Sequence, residues 1–297
     1  MKTVLAVGVA VIDFVMSVDA FPRTAEKLRA KDAAIVGGGC AANAAVAVAR
    51  LGGRAMLAAR LGRDEIGDLI ASGLDREGVD CALVRRLEDG RSSFSSVYVD
   101  AEGERQIVNF RDMGLSFDAQ WLAESLPDHF DAALADTRWP QGAAVAMQAA
   151  RARGVAGILD AEPSVHEAED AVALASHIAF SAAGLRTFCG VDDPHEGLRR
   201  ARARTSAWVA YTDGAKGAFY LEGDALRHVP SFPVEVVDSL GAGDVWHGAF
   251  TLAMAEGRGE AAAMRFANAV AAIKCTRFGG RLGTPDRRET EEFLASH

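Results

Sequence analysis

Apolar residues along this chain fall into runs of two alternating kinds. Arg54 to Arg60, Asp131 to Ala135, Val155 to Leu159 and His177 to Phe180 have the length and apolar character of buried strands. Ile66 to Arg76 and Ala143 to Arg153 read as helices between them. This alternation predicts βαβ units, hence a mostly parallel sheet covered by helices on both faces. Near the start, the run Val4 to Ile12 ends at Asp13. With Lys2 before it, the run superficially resembles a secretory leader, but no small-x-small cleavage site follows promptly, and its length suits a first strand continuing into a second. The alanine-rich segment Cys40 to Leu51, with Val46 and Val48 and the stop Gly52-Gly53, predicts a buried helix.

Two stretches depart from this rhythm. Residues 11 to 36 have mixed polarity, and residues 92 to 111 read as two alternating strands around the turn Asp100-Ala-Glu-Gly103. Together they predict a small β lid over a site at the sheet edge. Its exposed strands also predict edge pairing in a homodimer. Toward the C-terminus, Ala242 to Cys275 predicts two helices separated by Gly257-Arg-Gly259, followed by the loop Phe278 to Gly283 and a charged terminal helix. The absence of an internal repeat or low-complexity linker predicts one continuous domain over residues 1 to 297.

Composition narrows the function classes. A net charge of −9 argues against attraction to nucleic acid or anionic membrane, and no segment has the length of a membrane helix. Cys40, Cys81, Cys189 and Cys275 are scattered without a CxxC pair, which predicts reduced core thiols and a cytoplasmic setting. There is no GxxxxGK[ST], HExxH or GxSxG, and the histidines lack metal-ligand spacing, so His247 reads as a packed residue. Trp139, Trp208 and Trp246 read as core or pocket wall.

The segment Val234 to Phe250 carries the strongest chemistry. It predicts a strand, a glycine turn and a helix, with the small residues Gly241, Ala242 and Gly243 at the turn. Backbone N–H groups there, at a helix N-terminus, would stabilise phosphoryl oxygens. Asp244 beside them would be either a general base or a helix cap.

Asp238-Ser-Leu-Gly-Ala-Gly-Asp244 closely resembles the second signature of ribokinase-family, PfkB-type carbohydrate kinases, which implies Asp244 as base. Gly37-Gly-Gly-Cys-Ala-Ala-Asn43, followed by Ala47, Leu51 and Gly52, resembles the first. The resemblance spans nearly the whole chain and implies the ribokinase-like α/β fold, with ATP and Mg2+ as cofactors. It also implies sugar contacts from Asp13, Gly38, Gly39 and Asn43. Thr212, Gly214 and Gly217 would form the nucleotide loop, with Asn268 lining the adenine pocket. A monovalent cation would lie near the backbone of Asp238 and the 279 to 283 loop. Ser181-Ala-Ala-Gly184 replaces the family's Asn-x-x-Glu, so the residues holding metal stay unassigned.

Within the family, segments such as Leu134-Ala-Asp-Thr-Arg-Trp139 and Lys274-Cys-Thr-Arg-Phe-Gly-Gly280 are similar to kinases of 6-deoxy-6-sulfofructose. That likeness implies a sulfonate held by Lys27, Asn109 and Arg138. A guanidinium, an ammonium and an amide suit a tetrahedral anion, phosphate included. Fructose 6-phosphate, fructose and ribose therefore remain alternative substrates. Two rivals come from other classes. Gly37-x-Gly39-x-x-Ala42 also fits a dinucleotide-binding oxidoreductase with Arg60 on a 2′-phosphate, and the fold could serve a non-catalytic sugar-binding regulator.

Overall fold

The computed structural model describes every residue except Thr24, Glu26 and Gly103, so the last residue of the anticipated hairpin turn lies outside the described residues. From the N-terminus, β1 (Thr3–Val7) is followed by β2 (Val11–Ser17), β3 (Asp32–Gly38), α1 (Cys40–Arg50), β4 (Arg54–Gly62), α2 (Glu65–Arg76) and β5 (Asp80–Leu87). The hairpin β6 (Phe94–Val99) and β7 (Arg105–Phe110) leads to α3 (Gln120–Ser125), β8 (Ala132–Asp136), α4 (Pro140–Arg153), β9 (Ala156–Ala161) and α5 (Glu169–Leu174). Then come β10 (His177–Ser181), α6 (Ala182–Cys189), α7 (Pro194–Arg204), β11 (Trp208–Thr212), β12 (Ala218–Glu222) and β13 (Ala225–Val229). The chain closes with α8 (Ala242–Ala255), α9 (Glu260–Cys275) and α10 (Arg287–Ser296).

Among the described residues these strands form two sheets. The larger has nine strands in the order β13-β12-β11-β10-β9-β8-β1-β4-β5. It is parallel from β11 to β5, and antiparallel only where β12 and β13 extend it. The smaller, β3-β2-β6-β7, takes both segments that broke the α/β rhythm and stands as the lid. Its inner face packs Val15, Val36 and Val97 against Leu240, while Ile35, Ile107 and Val108 on the lid are exposed.

The core lies on both faces of the large sheet. On one side α1, α8 and α9 pack together, and on the other α4 and α5 cover β8 and β9. The alanines of α1 serve this packing, because a short side chain lets helix backbones approach closely. A Cβ on Gly248 of α8 would lie 2.3 Å from the Ala44 carbonyl oxygen, so this contact requires glycine. A side chain there would push α8, and the start of the 241 to 243 loop, away from α1.

Three expectations need correcting. The run Val234 to Val237 forms no strand. The N–H groups of Val237 and Asp238 both donate to the Cys275 carbonyl at the end of α9, at 2.8 and 3.0 Å, and Val236 and Val237 remain exposed. Asp13 lies within β2 and not at a strand end. The four cysteines are free, but only Cys189 is buried outright, because the others sit at element ends beside clefts and loops.

Candidate active site

Asp244 occupies the first turn of α8, three residues after a glycine that the backbone requires. Gly241, the residue before the helix, has φ of +75°, a left-handed conformation that favours glycine. The N–H groups here, at the first turn of α8, precede the helical ladder, and that of Ala242 donates to the Ser239 carbonyl at 3.2 Å. Asn43 reaches Asp244 from α1, its Nδ2 donating to Oδ2 at 2.7 Å, and the Cys40 thiol hydrogen-bonds the same carboxylate. Burial is the main cause that pushes the Asp244 carboxyl up to about 6, with the nearby charges of Glu162 and Asp136 adding to it and the two hydrogen bonds opposing it.

A carboxylate with this displacement is a competent proton acceptor near neutral pH. Only the ionised form accepts a proton, so kcat/KM should rise with unit slope up to about pH 6 and flatten above it. An acid limb near the ordinary value of 3.8 in a pH–rate profile would contradict this assignment.

The residues expected on the sugar side form a row dictated by strand register. Asp13 of β2 lies opposite Ser95 of β6, and Ser95 opposite Asn109 of β7. Asn109 Nδ2 donates to Ser95 Oγ at 3.1 Å, and Ser95 hydrogen-bonds the Asp13 carboxylate. Burial raises Asp13, with the Ser95 hydrogen bond and the Arg281 charge opposing. A Cβ on Gly38 would come within 2.2 Å of Asp13 Oδ2, and one on Gly39, at φ of +94°, would meet the Val9 carbonyl oxygen at 2.5 Å. Both glycines thus admit a carboxylate and a backbone turn that any side chain would block.

Four groups that the sequence did not single out as site residues complete this floor. Asp136, fully buried at the end of β8, accepts from the N–H groups of Val9, Ala41 and Arg138 and ties β1, α1 and the 137 to 139 turn together. Asp160 at the β9 end is buried, its Oδ1 3.5 Å from His247 Nε2 and lacking a hydrogen-bond partner among the described residues. Desolvation and the charges of Glu162 and Asp244 raise Asp160 well above the carboxylate range. Glu162 hydrogen-bonds Ser181. A carboxylate therefore stands beside the 181 to 184 run that lacks one. Arg281 packs its guanidinium against Gly37 and faces Asp13, with Nε and Nη1 unpartnered among the described residues.

The residues expected on the nucleotide side line a cavity of about 730 Å³ that also reaches Ala242 and Gly243. Thr212, Gly214, Gly217 and Asn268 all contribute to its wall. Gly217, at φ of +93°, could not carry a side chain, since its Cβ would meet the Val229 carbonyl at 2.3 Å. Asn268 spends its amide on protein partners, accepting from Trp246 Nε1 at 2.7 Å and donating to the Val229 and Pro230 carbonyls. It shapes the pocket by holding Trp246 and the 229 to 230 turn. His247 is packed as anticipated, its Nδ1 at 2.9 Å from the Gly243 carbonyl, and burial lowers it to about 4. Trp139 is core and Trp246 is pocket wall, stacked on Phe250.

The three anion-binding candidates are not joined by any hydrogen bond or ion pair among the described residues. Lys27 is exposed, and Asn109 is exposed while bonded to Ser95. Arg138 is half-buried, its guanidinium without a hydrogen-bond or ion-pair partner among the described residues, yet it acts electrostatically on Glu162, Asp160 and Asp136. Arg111 donates to the Arg138 carbonyl at 2.6 Å and links the lid to this turn.

The dinucleotide reading fails on topology. Gly37 and Gly38 end β3 in the lid sheet, outside any parallel βαβ unit, and Arg60 is committed to the Leu115 and Ser116 carbonyls and to the faces of Phe117 and Trp139.

Residues 1 to 287 match the model of the pfkB family of carbohydrate kinases. The chain belongs to that family. Ribokinase of Bacillus subtilis is 28% identical over 298 residues, covering 99% of this chain and all of that protein. Fructokinase-1 of Oryza sativa is 29% identical, covering 99% and 98% of the two chains. A crystal structure from Agrobacterium tumefaciens, provisionally named a ribokinase, superimposes with a TM-score of 0.92 at 37% identity over 99% of this chain and 98% of that one. Arabidopsis thaliana ribokinase complexed with ribose and ATP has the same fold, with a TM-score of 0.82 at 23% identity over 99% and 98% of the chains. This carbohydrate kinase thus carries both family signatures on one cleft: Asn43 from the first contacts Asp244 from the second.

Proposed function

We propose that this kinase transfers the γ-phosphoryl group of ATP to the C1 hydroxyl of an anionic ketohexose, with 6-deoxy-6-sulfofructose as the substrate. The observation that carries the anionic assignment is Arg138, a half-buried guanidinium with no hydrogen-bond or ion-pair partner among the described residues. An arginine fork binds a tetrahedral anion through paired charge-assisted hydrogen bonds. Lys27 and Asn109 on the lid would join it when the lid closes over the sugar.

The sugar hydroxyls would be held by Asp13, Asn43 and the backbone at Gly38 and Gly39. Asp244 would take the proton of the attacking hydroxyl, and the N–H groups of residues 241 to 243 would stabilise charge on the transferring phosphoryl group. ATP would lie in the cavity bounded by Thr212, Gly214, Gly217 and Asn268, its phosphates toward Ala242 and Gly243. Closure of the lid would exclude water, which otherwise competes as acceptor. A magnesium ion fits the acidic side of the cleft, where Glu162 is half-buried and Asp160 has an unpaired oxygen. These two would hold it largely through water, and its charge would neutralise the phosphate oxygens of the nucleotide.

The deciding experiment measures ADP formation with sulfofructose, fructose 6-phosphate, fructose and ribose under matched conditions, and locates the new phosphate by NMR. The highest kcat/KM with sulfofructose and a 1-phosphate product supports the proposal. A preference for fructose or ribose, the sugars named for the relatives, defeats the anionic assignment. The exposed Ile35, Ile107 and Val108 support a homodimer through the lid, for which sedimentation should show twice the monomer mass.

A further inference from the structure

Lys274, in the last turn of α9, is wholly buried. Its ammonium donates to the main-chain oxygen of Asp238 at 2.7 Å and lies 3.6 Å from Asp238 Oδ2. Asp238 is the first residue of the signature loop, three residues before Gly241. Its carboxylate is already occupied by backbone donors: Leu240 N–H at 2.7 Å on one oxygen, and Gly279 and Gly280 N–H at 3.1 and 2.8 Å on the other. The N–H groups of Val237 and Asp238 are in turn fixed by the Cys275 carbonyl.

Burying an ammonium is costly, and an apolar side chain of the same length would fill this space without that penalty. Three N–H donors already satisfy the carboxylate. What Lys274 adds is a fixed positive charge on the Asp238 carbonyl, at the root of the loop whose N–H groups form the anion hole. A free monovalent cation coordinates carbonyl oxygens in the same way. A second cation at this oxygen would meet the ammonium as a like charge at contact distance.

We infer that the Lys274 ammonium is a tethered monovalent cation that positions the 238 to 243 loop for phosphoryl transfer, so that this enzyme needs no free potassium. The inference rests on the phosphotransferase reading of that loop and goes beyond it, because it assigns a positioning role to a residue that touches neither substrate. Asp238, Cys275 and Arg105 are the titratable side chains acting on the ammonium, and among the described residues only Asp238 is within ion-pair distance.

The test compares wild type with Lys274→Met, an uncharged side chain of similar length, at constant ionic strength with tetramethylammonium, potassium or ammonium as the monovalent cation. Wild-type kcat should change by less than about twofold among them, ionic strength being matched. Lys274→Met in tetramethylammonium should lose about 100-fold in kcat, the scale of a small misplacement of catalytic groups, with little change in sugar KM. Potassium or ammonium should restore its activity saturably, and should raise its unfolding midpoint while leaving that of wild type unmoved. Strong activation of wild type by potassium overturns the inference, as does a folded Lys274→Met that neither cation affects in either measurement. If Lys274→Met fails to fold, the wild-type comparison decides alone. An incorrect sugar assignment would silence activity in every preparation but leave the cation-dependent midpoint of the variant, so the two failures are distinguishable.

Discussion

Asp244→Asn should lower kcat by about 10³- to 10⁴-fold, at the upper end of what a positioned general base contributes, while leaving sugar binding within a few-fold. Asparagine keeps the shape and can still accept the Asn43 hydrogen bond through its amide oxygen, so the loss isolates proton transfer from architecture. A variant that retains near-normal turnover removes Asp244 as the base. The same substitution should stabilise the fold. A carboxyl raised from 3.8 to about 6 favours the protonated form in the folded state, so its contribution is complete below the unfolded value and is lost as pH rises through about 6. Above that pH, wild type holds a buried negative charge that the asparagine lacks. The unfolding free energies should therefore be similar near pH 4 and diverge by pH 7, with the variant more stable by at most about 3 kcal/mol. Equal pH dependence of the two proteins would show that the carboxyl is not displaced.

Arg138→Ala should raise KM for the anionic sugar by about 10- to 100-fold, equivalent to about 1.5–3 kcal/mol for a lost charge-assisted hydrogen bond. Activity on fructose should change by less than about threefold, because a neutral end group forgoes no charge compensation. Removing Arg138 also removes a positive charge near Asp160 and Glu162, both of which it currently holds down. The neutral sugar is the internal control for that second effect. Equal losses on both sugars would assign Arg138 to the acidic cluster and the nucleotide phosphates, and the anionic-sugar proposal would fall.

Much of this site was legible because it is local. Gly241 and the glycines at 38 and 39 stand in short small-residue runs, and each of the three proved to be a position where a side chain would collide or the φ is positive, whereas a Cβ on Gly243 would meet open space. The lid was legible as two interruptions of an α/β rhythm. The run Val234 to Val237 misled because β-branched residues satisfy strand propensity wherever they stand. Its final N–H group, with that of Asp238, is drawn to the end of α9 and not to a neighbouring strand.

Other parts depend on pairing across the fold. Glu162 and Ser181 are neighbours because β9 and β10 run parallel with Ala161 opposite Phe180, so the next residue of each strand meets at the sheet's C-terminal edge. Searching for a carboxylate within 181 to 184 could not find one supplied by the adjacent strand. Ser95 joins Asp13 to Asn109 by the register of β2, β6 and β7, and Lys274 reaches Asp238 across 36 residues.

By itself, then, the sequence determined the family, the alternation of strand and helix and the glycine-built loop that carries the proposed base, since these reside in local backbone requirements and in period. Tertiary structure alone decided what surrounds that base. It set Asn43 and Cys40 on Asp244, left Arg138 without a side-chain partner among the described residues, and brought a buried ammonium to the root of the loop. Burial and strand register are collective properties of the packed chain, and they govern both the proton affinity of Asp244 and the charges that meet at its cleft.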